Sequence, residues 1–103
     1  MESAILITVR YTAKGGMRKE FYREIMESGV VDVFRREEGC LKYDYYFPAD
    51  SEDDLCLFEM WSSLEAQRAH SQTEDFKKLG QLKEKYILRT ELKFYRAEPV
   101  KRD

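Results

Sequence analysis

The feature that most restricts the fold is the order in which hydrophobic periodicity changes along the chain. Residues 4–12 alternate with period two, placing Ile5, Ile7, Val9 and Tyr11 on one face and Ala4, Leu6, Thr8 and Arg10 on the other. Ala13-Lys14-Gly15-Gly16 supplies a loop with glycines free to take positive φ. The period then lengthens. Met17, Phe21 and Ile25 recur at four residues and Val30, Val33 and Phe34 continue the stripe, while Arg18, Lys19, Glu20, Arg23, Glu24 and Glu27 fill the outer face. This predicts a helix that Gly29 divides into two segments and Gly39 caps.

Period two returns in residues 40–47, where Leu41, Tyr43, Tyr45 and Phe47 alternate with Cys40, Lys42, Asp44 and Tyr46. Pro48 stops this second strand, residues 49–54 form an acidic turn, and residues 55–61 make a third strand that carries the only Trp, Trp61. Ser62 or Ser63 can cap a short helix over 64–71, and Ser62 with Glu65 would make a capping box. Thr73 opens another, with Phe76, Leu79, Leu82 and Tyr86 at three- and four-residue spacing. A last strand over 87–96 has Leu88, Leu92 and Phe94 on one side.

Strand, helix, strand, strand, helix, strand is the ferredoxin-like α+β order, an antiparallel sheet with helices on one face. Large apolar residues stand on both sides of several strands. Burying the second face calls for another copy, so the expectation is a homodimer with its two sheets packed as an α/β-barrel. At 103 residues the chain makes one domain, taken as 1–98 with a short polar tail over 99–103. A net charge of −2, with acids and bases interleaved, argues against nucleic acid as a partner. No segment approaches membrane-spanning length and no leader pattern opens the sequence, so no membrane partner and a cytoplasmic location are expected. The 50–54 turn sets Cys56 opposite Tyr46 and leaves Cys40 at the far end of the hairpin, too distant for a disulfide. Neither cysteine has a partner at metal-ligand spacing, and no metal is expected.

Two ionisable residues stand out. Glu59 shares a strand face with Leu55, Leu57 and Trp61, so its carboxylate must be paired or have its pKa raised by desolvation. It reads either as an ion-pair partner of Arg10 or Arg89, or as a base for a bound phenol. His70, the only histidine, reads either as a helix-face residue bonded to backbone or as a base or donor near working pH.

Glu38-Gly39-Cys40-Leu41-x-Tyr43, Phe58-Glu59-x-Trp61, Glu65-Ala66-x-x-x-His70 and Phe76 together resemble the signature of the antibiotic biosynthesis monooxygenase domain. The resemblance implies a dimeric α+β barrel with a pocket between the sheet and helices of each subunit. Members include cofactor-independent oxygenases of phenolic polyketides, quinol monooxygenases, heme-degrading oxygenases and an isomerase of a phosphorylated sugar. Heme-degrading members carry an Asn in the first strand and a His four residues after the Phe76 position. This chain has no such Asn, has Gly80 at that later position, and by spacing has His70 where their heme-contacting Trp falls. Asp75 stands where many members have a second His.

The expected function is therefore a cofactor-independent monooxygenase of a quinol or polyphenol, using O₂ and no cofactor. A deprotonated electron-rich phenol donates an electron to O₂ itself and needs a dry aromatic pocket, a base and a donor. His70, Trp61 and Glu59 are the candidate catalytic residues, with Tyr43, Tyr45, Phe58 and Phe76 as pocket walls. Two other readings stay open: a small-metabolite isomerase in which His70 shuttles a proton and Arg10, Arg68 and Arg89 converge on a phosphate, or a non-catalytic dimeric binding module.

Overall fold

The two-residue alternation near the N-terminus becomes β1 (Ala4–Ala13), one of the two central strands of a four-stranded antiparallel sheet. The protein is described from a computed structural model, over residues 3–102. The expected bounds 1–98 and 99–103 also take in Met1, Glu2 and Asp103, which lie outside the described residues. Beside β1 runs β3 (Asp54–Trp61), with Ile7 facing Glu59 and Tyr11 facing Leu55. The outer strands are β2 (Cys40–Tyr46), paired to β3, and β4 (Ile87–Ala97), paired to β1. The order β2-β3-β1-β4 is the ferredoxin-like one expected, and the sheet is open rather than closed on itself. Tyr46 faces Cys56 as the turn required, and both cysteines are free.

Helices α1 (Arg18–Ser28), α2 (Val30–Arg36), α3 (Leu64–His70) and α4 (Glu74–Tyr86) connect the strands. Gly29 divides α1 from α2 by taking φ 80°, a conformation a side chain resists. Phe21, Ile25, Val30, Val31 and Phe34 from the first two helices and Leu79 and Tyr86 from α4 pack on Ile5, Ile7, Val9, Tyr11, Leu55 and Leu57. These apolar side chains form one core, whose burial is the main stabilising term.

One cap differs from the reading of the sequence. Gly39 does not cap α2, which ends at Arg36 with Glu37 extended. Gly39 instead lets two segments touch. It has φ 84°, its carbonyl accepts the Ser62 N–H at 2.7 Å, and a Cβ there would sit 2.5 Å from Ala66 Cβ. Because Ser62 is held to Gly39, the next residue caps α3: Ser63 Oγ accepts from Ala66 N–H at 3.0 Å. Thr73 caps α4 as expected, accepting from Phe76 N–H.

The acidic turn is pinned rather than free. Arg10 donates to Asp54 at 2.6 Å and Asp50 at 2.9 Å, while Arg18 donates to the carbonyls of Ser51 and Asp54 and lies 4.6 Å over the Phe47 ring. Strand β2 therefore ends at Tyr46, one residue early. The face away from the helices carries half-buried Leu6, Phe58 and Met60 with exposed Tyr46 and Tyr95. Apolar exposure extends to the helix side of β4, where Leu88, Leu92 and Phe94 are each about half exposed or more, because the helices stop short of this edge strand.

Candidate functional site

Between the sheet and α3 and α4 lies a small, partly open cavity of about 80 Å³. Its floor is Ile7, Val9 and Tyr11 of β1 with Glu59 of β3 and Tyr43 of β2. His70 and Phe76 border it together with Lys83 of α4, and Thr90, Leu92 and Phe94 of β4 form the outer wall.

Glu59 sits in this floor because β3 presents odd-numbered residues to the helices, and its register neighbours there are Ile7 and Tyr43. The residue is 6% exposed. Burial pushes its carboxyl up to about 7, although a hydrogen bond from Trp61 Nε1–H to Oε1 at 3.0 Å and the charge of Lys83 pull it down. Glu59 forms no ion pair with Arg10, which projects from the opposite face to Asp50 and Asp54. With its guanidinium already committed there, Arg10 does not converge with Arg68 and Arg89 on a phosphate.

His70 is the last residue of α3, and its ring is caged by Phe34 and Trp61, each 4.6 Å away between centroids, and by Phe76 at 5.2 Å. Nδ1 lies 2.7 Å from Glu37 Oε1. The carboxylate can only accept, so Nδ1 carries the proton and Nε2 is left as the acceptor. Burial lowers the His70 pKa against the raising effect of Glu37, which keeps the imidazole neutral. This arrangement makes His70 a fixed neutral acceptor and Glu59 the group poised to exchange a proton near neutrality.

Lys83 completes the electrostatics. Its Nζ stands 5.4 Å from the Phe76 ring centroid and 5.8 Å from that of Tyr11, and burial lowers its pKa while Glu59 raises it. Tyr11 and Tyr43 are pushed up by burial and stay protonated. Among the described residues no three His, Cys, Asp or Glu converge to hold a metal ion, and no helix is long and apolar enough to cross a membrane. A larger groove of about 460 Å³ opens on the uncovered sheet face, lined by Ala4, Leu41, Met60 and Pro99 among others, but its one titratable group is Glu98. The buried ionisable groups Glu59 and His70 border the smaller cavity instead.

The sequence matches the antibiotic biosynthesis monooxygenase family over residues 4–81, from β1 into α4. The chain belongs to that family. No curated protein matches it. Among solved structures, a protein of Shewanella oneidensis superposes with TM-score 0.84 at 15% identity, covering 94% of this chain and 93% of its own. One from Methanosarcina mazei gives 0.83 at 23%, covering 94% and 95%. A proposed antibiotic biosynthesis monooxygenase of Nitrosomonas europaea gives 0.82 at 17%, covering 92% and 90%. At these identities the likeness is one of fold.

Within this family member, the residues singled out from sequence divide into three groups. Glu59, His70, Tyr43 and Phe76 border one cavity. Trp61 is fully buried behind it and reaches it through the hydrogen bond to Glu59. Tyr45 and Phe58 do not border it. Tyr45 stacks edgewise on Tyr22 and Tyr43, and Phe58 projects from the uncovered face, because an even-numbered residue of β3 cannot share a side with Glu59. Asp75, at the position of a second imidazole in many members, lies 3.6 Å from Lys78 and makes no contact with the cavity. Lys83 does not stand out in the sequence as a site residue. A signal for it is nonetheless present, since it stands four residues after Leu79 and three before Tyr86, on the stripe that α4 buries.

Proposed function

We propose that the protein is a cofactor-independent monooxygenase of a quinol or polyphenol, with Glu59 as the base. The observation that carries this reading is a buried carboxyl held at about 7 in an aromatic cavity, positioned by the indole N–H of Trp61. Such a group takes a phenolic proton near neutrality, where an ordinary surface carboxylate is too weak a base. The resulting phenolate donates one electron to O₂, and recombination of the radical pair forms a C–O bond. Collapse of the peroxide then releases water. The balance is quinol plus O₂ giving hydroxyquinone plus water, with the ring carbon and the quinol oxidised and both oxygen atoms reduced. His70 borders the reacting space as a neutral acceptor, and Tyr43 and Phe76 provide walls.

At about 80 Å³ the cavity is far below the roughly 300 Å³ at which small-molecule sites begin. An aromatic substrate must therefore displace part of the wall. The yielding part is β4, which is paired on one side only and presents exposed Leu92 and Phe94 over the cavity. The uncovered sheet face, with Leu6, Phe58, Met60, Tyr46 and Tyr95, is read as the contact with a second copy in a homodimer.

The test is turnover of a panel of quinols under ¹⁸O₂ in metal-free buffer, with products read by mass spectrometry. One labelled oxygen in the product and one in water supports the reading. Quinol consumption without label in the product, or none above the buffer rate, rules it out.

A further inference from the structure

Lys83 is the half-buried charge that the proposed reaction leaves without a task. It projects from the apolar stripe of α4 into the same cavity as Glu59, and its ammonium makes no ion pair among the described residues. Its near neighbours are aromatic faces, Phe76 at 5.4 Å and Tyr11 at 5.8 Å. The carboxylate of Glu59 is taken up on one side by Trp61 Nε1–H, and Lys83 does not bridge to it directly. A half-buried cation and a buried carboxyl thus border one small, aromatic-walled cavity without bridging it. An unbridged pair of this kind is costly unless a polar group completes it.

We propose that Lys83 is a catalytic residue that holds the substrate hydroxyl as an oxyanion, so that the site selects molecules with an ionisable phenolic O–H. The proposal rests on the monooxygenase reading and assigns its anion-stabilising group. In the transfer, the phenol O–H bond breaks, its proton goes to a Glu59 carboxylate oxygen, and the bonding pair stays on the phenolic oxygen. Before the step the cavity holds carboxylate, ammonium and neutral phenol. Afterwards it holds carboxylic acid, ammonium and phenolate. A negative charge moves from Glu59 to the substrate, and no net charge is created in the low-dielectric space. Without Lys83 the same transfer would leave a buried phenolate facing only neutral donors. Thr90, which also lines the cavity, offers a hydroxyl but no charge.

The experiment uses para-nitrophenol, whose anion absorbs in the visible, and para-nitroanisole, which cannot ionise. Both are titrated without oxygen, so no turnover is required. The native protein is expected to bind nitrophenol as its anion and more tightly than nitroanisole. In Lys83→Met the visible band of the bound ligand is lost and nitrophenol affinity falls about tenfold or more, as when a charged hydrogen bond is removed, while nitroanisole affinity holds. Lys83→Arg keeps the band. Should Lys83→Met not fold, as judged by circular dichroism, Lys83→Gln gives the same comparison. Retention of the band and of affinity in the neutral variant overturns the role of Lys83 while leaving the monooxygenase reading standing. Failure of the native protein to bind either compound overturns both.

Discussion

A carboxyl held at about 7 in the folded chain, against its ordinary 4.5, binds more protons folded than unfolded between those values. Its contribution to stability is therefore fully present below about pH 4.5 and is lost as the pH rises through about 7. At about 1.4 kcal/mol per unit the loss is on the order of 3 kcal/mol for a group this deeply buried. Glu59→Gln keeps the shape and removes the titration. Thermal unfolding at pH 5 and pH 8 should show the variant gaining on the native protein by about 10 °C or more as the pH rises. A gap that stays constant would mean that Glu59 is solvated or fully paired. From sequence, the need for Glu59 to be paired or shifted was legible because its strand face is otherwise apolar. Trp61 was legible as a neighbour on that face, whereas Lys83 was not, because it comes from an element with a different period.

Among elements, the segments whose periodicity decides their place were legible, and those decided by contacts across the fold were not. The β2–β3 register followed from turn position, and the α1–α2 break followed from Gly29. Which of Ser62 and Ser63 caps α3 depends on Gly39 bonding Ser62 from a distant part of the chain, which no local pattern records. The exposure of Leu92 and Phe94 likewise depends on how far the helices extend, not on the strand itself. Gly39 and Gly29 make a controlled pair. Both have positive φ, but only at Gly39 would an added Cβ meet other atoms within 4 Å, namely Ala66 Cβ at 2.5 Å and Ser62 Oγ at 2.7 Å. Gly29→Ala should cost about 1–2 kcal/mol from the left-handed backbone alone. Gly39→Ala adds an overpacking cost of about 1–3 kcal/mol and loosens the approach beside the Glu37–His70 contact. Urea unfolding of the two variants checks the difference, and equal costs would contradict the close approach at Gly39.

At the scale of the molecule, one sheet face is core and the other presents Leu6, Phe58, Met60, Tyr46 and Tyr95 to whatever covers it. Light scattering at micromolar concentration should give twice the chain mass, and Phe58→Arg should return the monomer mass with the core intact. A native monomer would contradict the pairing of sheets. The ferredoxin-like order made this face legible from sequence, whereas the smallness of the cavity was invisible there, since it depends on how tightly α4 and β4 close over Glu59. The most direct test of the central claim is the rate of oxygen uptake with a quinol substrate, measured from pH 5 to pH 9 for the native protein and Glu59→Gln in the absence of metals and added cofactors. The expected result is a native rate that rises through a limb near pH 7 and a variant rate about a hundredfold lower or less, without that limb. A Glu59→Gln protein with the native rate and the native pH profile would contradict the account.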